Sequence, residues 1–209
     1  MGFAVIIPAY NEAKTIQNVV STAVSTPGAE QVIVVDDGSE DDTAKAAASA
    51  GAKVLRLESN EGKASAMLRG AEQTACETLV FLDADLIGLR REHILALAGP
   101  VEAGEADMTI GLFESGRLAT DFAQTVAPFL SGQRAVKRWV LLGVSDIGAV
   151  KFGIEVALTR YAREAGLRVK EVRLAGLTHV MKEEKLGLVR GAQARLKMYL
   201  DILRTAQRG

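Results

Sequence analysis

The chain has 209 residues, 48% hydrophobic and 24% charged, with a formal net charge of −1. That length is ample for a buried core and most simply makes one domain, while the near-zero charge excludes bulk electrostatic attraction to nucleic acid. Cys76, the only cysteine, excludes an intrachain disulfide and fits a reducing compartment. From Met1 the sequence runs straight into apolar residues without a basic n-region, and Ile6 stands where a myristoylation motif wants Ser or Thr. No stretch reaches the roughly 18 uninterrupted apolar residues of a membrane span, so a cytoplasmic protein is expected.

In chain order, residues 3–7 read as an apolar strand stopped by Pro8. Asn11 is a good N-cap for a helix running to about residue 25, with Glu12 in its first turn. Residues 31–35 make a second strand ending in Asp36-Asp37-Gly38-Ser39. Ser39 with Asp42 reads as a capping box for an alanine-rich helix to Ala50. A strand over 53–57, a turn at Asn60-Glu61-Gly62, a helix over 63–74 and a strand over 78–82 follow. A helix over 91–98 and a strand over 108–112 close this half. Such alternation with short connections predicts a mostly parallel central sheet with helices on both faces.

The second half is less regular. A loop then a helix are expected over 116–132, helices over 134–142 and 154–165, and strands over 168–172 and 177–180. A mixed-charge loop (181–187) and a basic amphipathic helix (188–204) end the chain. This half fits a subregion built onto the first rather than a second domain.

In open α/β sheets, ligands bind beyond the carboxyl ends of the strands. Three of the four early strands end in polar clusters there: Pro8-Ala9-Tyr10-Asn11-Glu12, Asp36-Asp37-Gly38-Ser39 and Asp83-Ala84-Asp85. In an extended segment side chains at i and i+2 point the same way, so Asp83 and Asp85 are expected both to face what lies beyond the strand end. Carboxylates that close repel unless a cation lies between them, and Mg²⁺ or Mn²⁺ takes one or two carboxylates plus phosphate oxygens. Alone, Asp-X-Asp is equally a turn former or a cap. No Gly-X-Gly-X-X-Gly follows the first strand and no Gly-X4-Gly-Lys-Ser/Thr is present, which disfavours a dinucleotide oxidoreductase and a P-loop protein.

Taken together, Ile6-Ile7-Pro8-Ala9-Tyr10-Asn11-Glu12, Val34-Val35-Asp36-Asp37-Gly38-Ser39-X-Asp41-X-Thr43, Asn60-X-Gly62-Lys63 and Leu82-Asp83-Ala84-Asp85 resemble a known set. In order and spacing they are similar to the nucleotide-binding half of GT-A fold glycosyltransferases of the family 2 type. The resemblance implies a Rossmann-like α/β GT-A domain over 1–209, with a nucleotide-sugar and metal half (1–112) and an acceptor half (113–209). It also implies that Pro8, Ala9, Tyr10, Glu12, Asp36 and Asp37 hold the base and ribose of a nucleotide-sugar, a UDP-sugar being favoured. Lys63 would lie near the diphosphate, and Asp83-Ala84-Asp85 would be the Mg²⁺ or Mn²⁺ motif. The chemistry agrees: a carboxylate such as Asp37 can accept the N3–H of uracil or the amino and imino protons of guanine, and a lysine is a flexible point charge for phosphate. The plainer alternatives are a turn and cap at Asp36-Asp37 and a solvated helix start at Lys63.

Further on, Pro128-Phe129-Leu130-Ser131-Gly132-Gln133-Arg134-Ala135, Gly153-Ile154-Glu155-Val156 and Thr178-His179 resemble the acceptor half of glucosyl-3-phosphoglycerate synthases and dolichol-phosphate-mannose synthase-like enzymes. The likeness implies that Glu155 sits beside the donor sugar or acceptor hydroxyl and that His179 is a third metal ligand with Asp83 and Asp85. Phe152-Gly153-Ile154-Glu155 stands where those synthases tend to have an aromatic residue between two glycines, so the acceptor need not be the same. Gly132, Gln133 and Arg134 are candidates for contact with the substrate, the last two as a fork for an anionic or polyhydroxyl acceptor. Their alternative is a helix start with Arg134, Lys137 and Arg138 in solvent. Glu155 is equally a first-turn acid favoured by the helix dipole, His179 a structural histidine, and His93 belongs to a charged surface helix. The 181–187 loop reads as a lid carrying Lys182 or Lys185 or as a linker. The final helix reads as a membrane-surface face for a lipid acceptor, or as a stripe packed on its own core or on a second subunit.

The reading is a metal-dependent glycosyltransferase whose acceptor is a small phosphorylated or lipid-linked molecule, cytoplasmic or peripheral at the inner membrane face. An inverting reaction needs a base for the acceptor proton, Glu155 first and Asp146 second; in a retaining one Glu155 orients the sugar. A sugar-1-phosphate nucleotidyltransferase would want a Gly-rich, Arg-bearing loop where Pro8-Ala9-Tyr10-Asn11-Glu12 stands. A non-catalytic nucleotide-sugar sensor or partner subunit is the remaining alternative.

Overall fold

The structure, a computed structural model, describes residues 2–114, 131–144 and 153–179. Asp146, the 181–187 loop, the 188–204 helix and nearly all of the 116–132 segment lie outside the described residues. The chain divides into two compact units, Met1–Thr178 and His179–Gly209. Of the second, only His179 is described.

The described strands are β1 (Phe3–Ala9), β2 (Ala29–Asp36), β3 (Lys53–Arg56), β4 (Thr78–Phe81), β5 (Leu86–Ile87), β6 (Met108–Glu114), β7 (Arg134–Lys137), β8 (Val169–Ala175) and β9 (Thr178–His179). Seven of them share one sheet in the order β3-β2-β1-β4-β7-β6-β8. Pairing is parallel at β1–β2, β1–β4, β2–β3 and β6–β8, while β7 runs antiparallel to both its neighbours. The helices are α1 (Ile16–Val24), α2 (Thr43–Ser49), α3 (Lys63–Glu72), α4 (Arg91–Glu102), α5 (Arg138–Leu142) and α6 (Ile154–Glu164). None among the described residues is long and apolar enough to cross a membrane.

Side-chain alternation along each strand feeds two cores. On β1, Phe3, Val5 and Ile7 join Ile16, Val19, Val20 and Ala23 of α1, Ala47 of α2, and Ile94, Leu97 and Val101 of α4. Ala4 and Ile6 face the other way, onto Ala64, Met67 and Ala71 of α3, Val140 and Leu141 of α5, and Ile154 and Leu158 of α6. With both faces covered, β1, β2 and β4 read as nearly continuous apolar runs. Ile16, Val19, Val20 and Ala23 follow the helical i, i+3, i+4, i+7 pattern, and burying each large one is worth roughly 1.5–3 kcal/mol.

The strand order reverses at β1, with β2 and β3 on one side and β4 on the other, so the carboxyl edge around β1 is where this sheet opens a crevice. Register fixes the neighbours there. Ala9 pairs with Asp36 and Asp36 with Arg56, while Ile6 pairs with Phe81.

Several local expectations are corrected. Residues 134–137 are strand, not helix, because insertion between β4 and β6 buries Ala135 in one core and Val136 in the other; only α5 after them is helical. The first helix starts at Ile16, and Asn11 takes a positive φ of 55° instead of capping it. Ser39 does not cap α2, which opens after Asp42. Its hydroxyl accepts the Asn11 N–H at 2.9 Å, so a bond between loops replaces the local cap. The strand before Asp83 stops at Phe81, with Ala84 and Asp85 in a turn, so strand alternation does not set where those carboxylates face. His93 is buried rather than on a charged surface, its Nδ1 accepting the Arg90 N–H and its Nε2 lying 3.1 Å from the Ala175 carbonyl.

Candidate functional site

Two constructions occupy the carboxyl edge. The first is an open cleft of about 780 Å³ lined by Tyr10 after β1, Gly38, Ser39 and Glu40 after β2, and Arg56 to Asn60 at the end of β3. Cross-loop bonds hold its walls. Asn11 N–H donates to Ser39 Oγ (2.9 Å), Glu12 N–H to Thr43 Oγ1 (2.8 Å), Ala13 N–H to Asp41 Oδ2 (3.2 Å) and Glu40 N–H to Asn11 Oδ1 (2.9 Å). Gly38 has φ +75°, and a Cβ there would fall 2.8 Å from the Ser59 backbone, so only glycine lets the two loops approach.

Asp36 and Asp37 lie beneath this cleft and are buried. Asp37 Oδ1 accepts Glu61 N–H at 2.7 Å and Oδ2 accepts Gly62 N–H at 2.9 Å, clamping the turn that opens α3. Asp36 Oδ1 accepts Ser39 N–H at 3.1 Å. Its Oδ2 accepts no hydrogen bond among the described residues, although Arg56 Nε stands 3.5 Å away. Arg56 Nη2 also donates to the Ser39 carbonyl at 3.0 Å. Arg56 is absent from the residues expected at this edge; its signal in the sequence is a basic residue closing a strand at the ligand side. Of the residues that are expected there, Pro8 and Ala9 belong to β1, Ala9 buried with its carbonyl accepting Asp37 N–H, and Tyr10 is exposed on the cleft wall. Glu12 Oε2 accepts the Thr15 hydroxyl.

The second construction is a cluster of charges. Lys63, the first residue of α3, donates from Nζ to Asp83 Oδ1 at 2.6 Å and to Glu155 Oε1 at 2.7 Å. Gln133 Nε2 donates to Asp83 Oδ2 at 2.8 Å. A Cβ on Gly132 would lie 2.5 and 2.7 Å from the Asp83 oxygens and 2.7 Å from Lys63 Nζ, so a glycine backbone forms one wall. Burial works against the Lys63 ammonium, but Asp83 and Glu155 outweigh it and hold the group well above the usual lysine range. Glu155 sits in the first turn of α6, where the helix dipole favours a carboxylate. Ala84 is buried and Asp85 half-buried beside it.

Gln133 and Arg134 are each 1% exposed and turned inward. Arg134 donates from Nε to the Ser131 carbonyl and from Nη1 to Thr159 Oγ1, both at 2.9 Å, and Thr159 in turn donates to the Glu155 carbonyl. Burial pulls the Arg134 guanidinium down to about 10, with Glu155 partly offsetting it, and it stays charged at neutral pH. Neither residue belongs to a solvated helix start. The side chain of His179 and the whole of Asp146 lie outside the described residues.

Among the described residues no group of three or more His, Cys, Asp or Glu closes a metal shell by itself. The donors at hand are nevertheless carboxylate oxygens, and between two of them sits a cation in the form of the Lys63 ammonium. Such a donor set fits a hard divalent ion that takes a few carboxylates and completes its shell with substrate oxygens and water.

A family model described as glycosyl transferase family 2 matches residues 4–157. Glycosyltransferase AglD of Haloferax volcanii is 35% identical over 119 residues, which are 52% of this chain and 19% of that protein. Glucosyl-3-phosphoglycerate synthase of Mycobacterium tuberculosis is 34% identical over 119 residues, 53% of this chain and 37% of that protein. The chain thus matches well under half the length of either relative. The crystal structure of the M. tuberculosis synthase with Mn²⁺, UDP and glucosyl-3-phosphoglycerate is similar at a TM-score of 0.68 and 27% identity, covering 86% of this chain and 72% of that one. The same enzyme with Mg²⁺ and UDP gives 0.69 and 27%, covering 86% and 71%.

Proposed function

This chain belongs to glycosyl transferase family 2, and from that premise we propose that it moves a sugar from a nucleoside-diphosphate sugar, a UDP-sugar first, to an acceptor hydroxyl. The observation that carries the reading is the cluster in which Lys63 joins Asp83 to Glu155, next along the sheet edge to a cleft of nucleotide size. Complexes of the similar synthase with UDP and Mn²⁺ or Mg²⁺ support it.

On this reading the base and ribose occupy the cleft, with Tyr10 on the wall and the accepting oxygen of Asp36 beneath, while Pro8, Ala9, Glu12 and Asp37 shape the loops around them. Asp83 and Asp85, with His179, would hold Mg²⁺ or Mn²⁺, which when bound stabilises negative charge on the departing diphosphate. Lys63 adds a mobile positive charge for the phosphates. Gln133 fixes one Asp83 oxygen so that the carboxylate does not rotate, and the Gly132 backbone leaves room beside it. Glu155 faces the same spot from α6; in an inverting reaction it takes the acceptor proton, with Asp146 second, and in a retaining one it orients the sugar. The acceptor is a small phosphorylated molecule, as in the similar synthase bound to phosphoglyceric acid, or a lipid-linked one met at the inner membrane surface.

The test is a thermal-shift panel of nucleoside diphosphates with and without Mn²⁺, joined to donor hydrolysis. UDP with Mn²⁺ should raise Tm more than either alone, since only the folded form binds them. UDP-glucose should be hydrolysed slowly, and Asp85→Ala should abolish that turnover. Nucleotide binding without turnover of any donor and acceptor would leave a sensor or partner subunit; no stabilisation by any nucleoside diphosphate would end the reading.

A further inference from the structure

We propose that Lys63 is a resident counter-ion that gives up Asp83 when a divalent cation arrives, so that metal binding is weak until a diphosphate offers the ammonium a new partner. This rests on the donor-binding reading above and adds an order to it. Asp83 already has a donor on each oxygen, Lys63 on Oδ1 at 2.6 Å and Gln133 on Oδ2 at 2.8 Å. A cation that binds this carboxylate is repelled by the ammonium already seated on Oδ1 and so competes with it. Gln133 is buried and sits within 3.3 Å of the Ser131 hydroxyl, so it is anchored. The Lys63 side chain is 33% exposed on a flexible four-carbon stem, so it is the partner that yields.

The wall on the other side is close. A Cβ on Gly132 would lie 2.7 Å from Lys63 Nζ and 2.7 Å from Asp83 Oδ1, so the only room beside this pair is what the missing glycine side chain leaves. Lys63 also stands at the amino end of α3, which disfavours a cation and favours an anion. Among the described residues, the carboxylates of Asp83 and Glu155 account for its present place. Once a metal ion takes over the neutralisation of Asp83, the ion and the helix end both repel the ammonium, which keeps Glu155, and a diphosphate at that end attracts it. Cation and diphosphate thereby help each other to bind, a coupling that is reciprocal by necessity.

The experiment measures free Mn²⁺ by electron paramagnetic resonance in titrations of the full chain, with and without UDP. In the wild type, UDP should tighten Mn²⁺ binding at least tenfold. Lys63→Met should bind Mn²⁺ alone at least tenfold more tightly than the wild type and gain much less from UDP. A variant that binds Mn²⁺ alone no better than the wild type, in a protein that still takes UDP and Mn²⁺ together, overturns the counter-ion role and leaves the donor reading standing. A wild type that takes neither sinks both. Because Lys63→Met leaves Asp83 and Glu155 facing each other and risks misfolding, a second readout uses the wild type. Reductive methylation of Lys63, followed by mass spectrometry, should rise several-fold with Mn²⁺ alone and fall again when UDP is added. Labelling indifferent to Mn²⁺ overturns the proposal.

Discussion

The cleft and the charge cluster share one sheet edge, yet they are held together by different means. In the cleft, backbone N–H groups of one loop donate to side chains of another: Asn11 to Ser39, Glu12 to Thr43, and Glu61 and Gly62 to Asp37. In the cluster, side chains hold side chains, and each charge is there because another neutralises it. A shape held by backbone bonds tolerates change at its surface. A balanced set of half-buried charges does not, because removing one member leaves another uncompensated.

The comparison is tested hardest at Asp83. Asp83→Ala leaves Lys63 with Glu155 alone and Gln133 without its carboxylate, and kcat should fall by about 10²–10³-fold. UDP binding measured without metal should not weaken, since the cleft does not use this side chain. A parallel loss of metal-free UDP binding would show that the two regions are one unit. Gly132→Ala comes next. Its methyl would press on Asp83 and Lys63, and displacing reacting groups by about 1 Å costs on the order of 10²-fold; kinetics should show the loss in kcat rather than in donor KM. Gly38→Ala should reverse that split. A side chain at φ +75° against the Ser59 backbone costs about 1–3 kcal/mol, read by urea unfolding, and raises donor KM while sparing kcat. Arg56→Ala should do less. Its side chain is 62% exposed while Asp36 is fully buried, and water around the guanidinium keeps the pair's worth near about 1 kcal/mol, so donor KM should rise by about fivefold.

The same contrast explains what is legible in the sequence. Pro8-Ala9-Tyr10-Asn11-Glu12, Asp36-Asp37-Gly38-Ser39 and Asn60-X-Gly62-Lys63 each follow a strand within the first part of the chain. The alternation of apolar runs and turns is therefore enough to place them on one edge. The details of their bonding are not legible in that way. Asn11 and Ser39 are good local caps, and what overrides those caps is a bond between loops distant in sequence. In the cluster, Lys63 meets Glu155 across 92 positions and Gln133 meets Asp83 across 50. No periodicity encodes such separations. Arg134–Lys137 shows why the second half is harder to read: four residues with two basic ends look like a helix start, and only the slot between β4 and β6 makes them a strand.

A last substitution serves as a control at the opposite edge. Asp107 and Arg168 precede the parallel strands β6 and β8, at their amino ends, away from both constructions. Arg168 donates from Nη2 to Asp107 Oδ1 at 2.8 Å and from its backbone N–H and Nε to Oδ2 at 3.0 and 3.1 Å. These hydrogen bonds hold the Asp107 carboxyl below its ordinary value of 3.8. A carboxyl depressed by folding contributes stability above its unfolded pKa and loses it as pH falls through the folded one. Asp107→Asn should therefore lower stability at pH 7 by no more than an exposed ion pair is worth, with the gap to wild type closing as pH drops below the ordinary aspartate range. Urea unfolding across that range measures it. Donor KM and kcat should both stay at wild-type values, because charges that neutralise each other at the amino edge touch neither the cleft nor the Lys63 cluster.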